Sequence, residues 1–152
     1  MIYLKDSKIQ VKGSHHVAKV FQDLLLLEAE IDREKEHFYV MHLNAKSQIK
    51  MVELVSLGSL TASVVHPRET FRRAVLAGSA SIIVAHNHPS GEVDPSTEDT
   101  KTTKVLFEAG RILGIPLLDH LIIAEGTFFS FQNNRIGKIE NIEAGKEKET
   151  HV

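Results

Sequence analysis

Two histidines one residue apart, His86 and His88, leave a short apolar run, and an aspartate, Asp99, follows eleven positions later. On an extended segment residues i and i+2 point to the same side, so both imidazoles can reach one ion. Asp99 falls in the first turn of a predicted helix, where a loop returning past the strand end can bring its carboxylate alongside. Two histidines and one carboxylate leave a tetrahedral position open, which distinguishes a catalytic zinc site from a closed structural one. A simpler reading stands beside this one. A His-x-His pair is also ordinary polar surface, and Ser96-x-x-Asp99 is a good helix capping box that needs no metal.

The rest of the composition narrows the chemistry. The 152 residues contain no cysteine, which removes disulfides, thiolate nucleophiles and cysteine-held metals, so any metal must be held by His, Asp or Glu. A zinc nucleobase deaminase is excluded on the same ground, because its signature needs a Cys-x-x-Cys pair. Formal net charge is −2, giving no overall positive field toward nucleic acid or anionic membrane. Arg68, Arg72 and Arg73 form the one compact basic cluster, by default a solvated helix face and otherwise a contact for a small anion or nucleic acid. No apolar run is long enough to span a bilayer and the N-terminus lacks a signal-peptide pattern, so a soluble cytoplasmic protein is expected.

The elements that must position these residues are read from periodicity. A helix is expected over about 15–30 and a hairpin from Phe38–Val40 to Ile49–Leu57. A second helix starts at Pro67 and stops at Gly78, and a buried strand at 81–85 delivers His86. A third helix ends at Gly114, and a closing hairpin joins 117–124 to 128–131. This order predicts one mixed α/β domain over 1–137, with about three helices flanking a central mixed sheet, and a charged, mobile tail over 138–152.

His86-Asn87-His88-Pro89, six further residues, Ser96, two more and Asp99 resemble the His-x-His-Pro-x6-Ser-x2-Asp signature of the JAMM motif, carried by the MPN metalloproteases. Val65-His66-Pro67-Arg68-Glu69, Ala85 to Gly91 and Leu117-Leu118-Asp119-His120 resemble the bacterial RadC-like branch of that superfamily, over about residues 10–132. The resemblance implies a layered, cytidine-deaminase-like architecture and a peptidase or isopeptidase that activates water on one zinc ion held by His86, His88 and Asp99. It also implies that Ser96 stabilises the oxyanion and that a glutamate at the start of an early strand moves the protons. Glu36 matches that place, with Glu34 and Glu53 as competitors. His66, Asp119 and His120 recur in the RadC-like pattern as candidates for orienting the ligands, Asp119 foremost. The implied partner is a peptide or protein substrate. The alternatives are a non-catalytic metal-binding module and, as the RadC name suggests, a DNA-repair-associated factor. Full-length members carry an N-terminal helix-hairpin-helix region, and this chain begins close to the metal domain, so the DNA-repair reading has little to rest on here.

Overall fold

The computed structural model describes residues 1–58 and 65–140. Its elements run β1 (Ile2–Tyr3), β2 (Ile9–Gln10), α1 (Ser14–Leu26), a 3-10 turn (Asp32–Glu34), β3 (Glu36–Leu43), β4 (Gln48–Gly58), α2 (Pro67–Ala77), β5 (Ser81–Asn87), α3 (Thr97–Leu113), β6 (Leu117–Ala124), β7 (Thr127–Ser130) and β8 (Arg135–Lys138). The strands form one mixed sheet in the order β1-β4-β3-β5-β6-β7-β8, with β2 also on β4. Every pairing is antiparallel except β5 with β6. A parallel pair needs a crossover, and α3 is that crossover.

Strand alternation sorts the core into two layers. Tyr39, Met41, Leu43, Ile83 and Ala85 face α1 and pack against Val17, Ala18, Phe21 and Leu24. Phe38, Val40, Ile82 and Val84 face the other way, against Phe71 and Ala74 of α2 and Leu106 of α3. The β5 run is apolar without interruption because helices cover both of its faces. His86 continues the series Ile82, Val84 and so emerges on the α2/α3 face.

Helix ends follow local chemistry. His66 accepts from Arg68 N at the start of α2, and Gly78 and Gly114 close α2 and α3 in the left-handed conformation. The first helix stops at Leu26, short of the expected end near residue 30. Beyond that point Leu27 is 72% exposed and has no core to face, the turn tightens through Leu27 N to Leu24 O, and Arg33 Nε caps the carbonyl of Glu28 at 3.1 Å. The charged tail does not begin at Lys138 as expected, since Lys138 is the last residue of β8 and Ile139 is buried against the α1 layer. Residues 141–152 lie outside the described residues.

Close approach fixes the seat of α3. A Cβ on Gly110 would sit 2.6 Å from the Ile115 carbonyl oxygen and 3.2 Å from Phe71 Cζ. Gly110→Ala is therefore expected to cost about 1–3 kcal/mol through overpacking against backbone that cannot yield, read as a lower urea midpoint with an unchanged slope.

Two strands from β5, in the middle of β4, Glu53 is buried beside Arg73 of α2 and His42 of β3. Arg73 Nε donates to Glu53 Oε2 at 2.5 Å, and His42 Nε2 lies 3.7 Å from Oε1. Burial pushes the Glu53 carboxyl up, but the contacts from His42 and Arg73 outweigh it and hold it below the usual carboxylate range. A lowered folded value contributes stability that is fully present above the unfolded value of about 4.3 and is lost as pH falls through the folded one. Urea midpoints are expected to drop on acidification below pH ~4.3, and Glu53→Gln is expected to flatten that slope.

Candidate metal centre

Four elements converge where β5 ends. β5 supplies His86, the turn after it His88, the first turn of α3 Asp99, and the first residue of β3 Glu36. His86 Nε2 and His88 Nε2 are 3.1 Å apart, and Asp99 offers Oδ1 to His86 at 3.1 Å and Oδ2 to His88 at 3.0 Å. Ligands at about 2.0–2.1 Å on a zinc tetrahedron stand roughly 3.3 Å from one another, so the spacing fits such an ion. The carboxylate of Glu36 and the nitrogens of His86 and His88 all lie within 4.8 Å of one another.

Proton accounting decides what the cluster needs. Thr103 Oγ1 donates to Asp99 O at 2.7 Å, so it must accept from His120 Nδ1 at 2.6 Å. His120 Nε2 is then bare and accepts from His86 Nδ1 at 2.7 Å, which leaves His86 Nε2 without a proton. His88 Nδ1 donates to the Glu92 carbonyl at 2.8 Å, leaving its Nε2 bare as well. Two lone pairs and a carboxylate thus point at one small volume, and only a cation or an added proton relieves them.

The electrostatics carry the same signature. Burial works against a charged Asp99, yet hydrogen bonds with His86 and His88 hold its carboxyl far below the usual range. Burial also disfavours the His88 cation, but Asp99 and the Glu92 carbonyl outweigh it and raise its pKa. His120 is fully buried, and desolvation followed by the field of His86 pushes it well below the ordinary histidine value, keeping it neutral. Phe38 stacks on His86, and Phe131 on His120 with centroids 5.0 Å apart, which fixes both rings and excludes water.

The other expected site residues are distributed as follows. Ser96 is the N-cap of α3: its Oγ accepts from Asp99 N at 3.0 Å and its own N–H donates to Asp99 Oδ2 at 2.9 Å. The capping box and the metal-ligand arrangement therefore coexist in the same two residues, and the Ser96 hydroxyl proton is left to be donated. Asp119 does not reach a ligand ring. Its carboxylate accepts from Ser130 Oγ, Gln132 N and His120 N at 2.7, 2.9 and 2.7 Å, and burial pushes its pKa up. It pins the backbone of His120, and His120 is the residue that holds His86. His66 is exposed, and its ring nitrogen serves the start of α2. Glu53 belongs to the pair with Arg73 in the middle of β4, and Arg73 is thereby removed from the basic cluster.

Thr103 and Asn87 were not anticipated. Thr103 stands four residues after Asp99 on the same helix face, a spacing visible in the sequence. Asn87 has no such signal, because its bonds reach backbone groups 50 or more positions away. A cleft of about 710 Å³ opens onto His88, bounded among others by Leu25, Leu26, Arg33, Glu34 and Ile123. Among the described residues no helix is long and apolar enough to cross a membrane.

Comparison with known proteins adds the lineage. A family model described as the RadC-like JAB domain matches residues 11–138. A UPF0758 protein of Alkaliphilus oremlandii is 45% identical over 132 residues, covering 87% of this chain and 55% of its own length. Another from Caldanaerobacter subterraneus is 51% identical over 108 residues, covering 71% and 46%, and one from Methanosarcina acetivorans is 50% identical over 102, covering 67% and 44%. The chain spans about half the length of these curated relatives. With the match running from before α1 to the end of β8, the chain belongs to the RadC-like JAB domain family.

Proposed function

We propose that this chain is a zinc-dependent hydrolase of peptide or isopeptide bonds. The observation that carries the reading is the convergence of two histidine nitrogens and a carboxylate at 3.0–3.1 Å, with a second carboxylate, Glu36, beside them. The donor set suits zinc, which supplies a Lewis acid that polarises a carbonyl and acidifies water. His86, His88 and Asp99 would hold it.

The remaining steps belong to the chain's own side chains. Glu36 stands within 4.8 Å of the His86 and His88 nitrogens, where its carboxylate can take a proton from the attacking water and return it to the leaving amine. Ser96 keeps a hydroxyl proton that can be donated to the oxyanion as it develops. Thr103 and His120 hold the tautomer that keeps His86 Nε2 bare. His120→Ala or Thr103→Val is expected to weaken zinc affinity about 10–100-fold, measured by competition with a chromophoric chelator.

Purified protein loaded with zinc should cleave members of a quenched-fluorescence peptide library or a lysine isopeptide panel, and chelation should stop it. Zinc-loaded protein that cleaves none of these would overturn the hydrolase reading in favour of a metal-binding interaction module. Arg68 and Arg72, left on an exposed face of α2, carry no comparable observation for nucleic acid.

A further inference from the structure

Between the two histidines lies a buried amide whose hydrogen bonds all run to the segment that carries Glu36. Asn87 is 4% exposed. Its Oδ1 accepts from His37 N at 2.6 Å, and its Nδ2 donates to Lys35 O at 3.0 Å and Arg33 O at 3.3 Å. An N–H on one side and two carbonyls on the other leave no doubt which end of the amide is which.

The placement is unusual for a strand residue. On one edge Asn87 continues the backbone ladder, opposite Ile123 of β6. On the other edge the β3–β5 ladder has its last rung at Phe38 and His86. One position further, the side-chain oxygen of Asn87 takes the His37 amide in place of a backbone carbonyl. The 3-10 turn at Asp32–Glu34 and the first residues of β3 are therefore tied to β5 by a side chain that is flanked by His86 and His88. Glu36 lies between the tethered groups, with Lys35 O on one side of it and His37 N on the other.

We infer that Asn87 is the positioning residue for Glu36, setting the distance between its carboxylate and the His86–His88 pair without touching either itself. The inference rests on the proton-carrying role proposed for Glu36. A misplacement of about 1 Å at a reacting group costs on the order of 100-fold in rate, and three hydrogen bonds on five consecutive residues are enough to prevent one.

The test uses Asn87→Ala in the full chain, with zinc content, hydrogen exchange and turnover read in parallel. Zinc content and affinity are expected to stay at the wild-type level, because neither ligand ring bonds to Asn87. The His37 amide is expected to exchange at least about tenfold faster, the loss of one buried hydrogen bond, while amides of β6 keep their protection. On the best peptide of the library, kcat is expected to fall about 10–100-fold with KM within about twofold. In a Glu36→Gln background the same change is expected to add no further loss. Asn87→Asp keeps the acceptor for the His37 amide, so it should retain that protection and serve if the alanine variant fails to fold.

Unchanged exchange at His37 would overturn the inference, as would faster exchange with wild-type kcat, or a further rate loss on top of Glu36→Gln. An inactive wild type would instead sink the hydrolase reading, and the exchange comparison would still decide whether Asn87 holds the segment.

Discussion

Replacing His88 by alanine is expected to leave protein that purifies with almost no zinc, where the wild type carries about one ion per chain. Elemental analysis of tag-free protein prepared without chelator reads this directly. The variant removes one of two bare nitrogens that meet at 3.1 Å, together with the partner of Asp99 Oδ2. His86 is left with one carboxylate, too few ligands for a tetrahedral site that must also keep a position open. Stability should report the same loss. A ligand at 100 times its Kd adds about 2.7 kcal/mol to the folded state, which for a chain of this size raises Tm by roughly 5–10 °C. Zinc should produce that shift in the wild type and none in His88→Ala. Metal-free wild type that refuses added zinc would reduce His86, His88 and Asp99 to a capped loop.

Glu36→Gln is expected to separate binding from chemistry. Glutamine keeps the shape and polarity of glutamate but cannot accept a proton, and general-base catalysis contributes about 10²–10⁴ in rate. The variant should hold zinc as the wild type does and lose that factor in kcat. Glu53→Gln, in the middle of β4 and engaged with Arg73, should leave kcat within about threefold and act as the control. Equal losses in both variants, or a Glu36→Gln protein that turns over normally, would transfer the proton-carrying role elsewhere.

Much of this arrangement is legible in the chain itself, because the signals are local. Pro67, Gly78, Ser96 and Gly114 bound two helices at the positions their backbone preferences require. The grouping of His86, His88 and Asp99 follows from two residues leaving a strand and one capping a helix. What escapes is whatever depends on partners distant in sequence. β1, β2 and β8 have two to four residues each, too few for a periodic pattern, and exist because β4 and β7 offer edges to pair with. The choice among Glu34, Glu36 and Glu53 depends on which strand end faces β5. Asp119 looks like the residue to orient a ligand because carboxylates often do. The role falls to His120, whose neutral ring is affordable in that buried position where a second charge is not.

The β5–α3 unit also orders the events by which the centre is made. His86, His88 and Asp99 lie within one short stretch of chain, so closing the loop between them costs little entropy. Glu36 arrives only when β3 has paired with β5 across some 50 residues, a far slower kind of contact to establish. On the proposed function, metal capture would precede catalytic competence: a partly assembled chain would hold zinc before it could cut. Under that reading the zinc content of a preparation would report the state of β5 and α3, whereas turnover would report the assembled sheet.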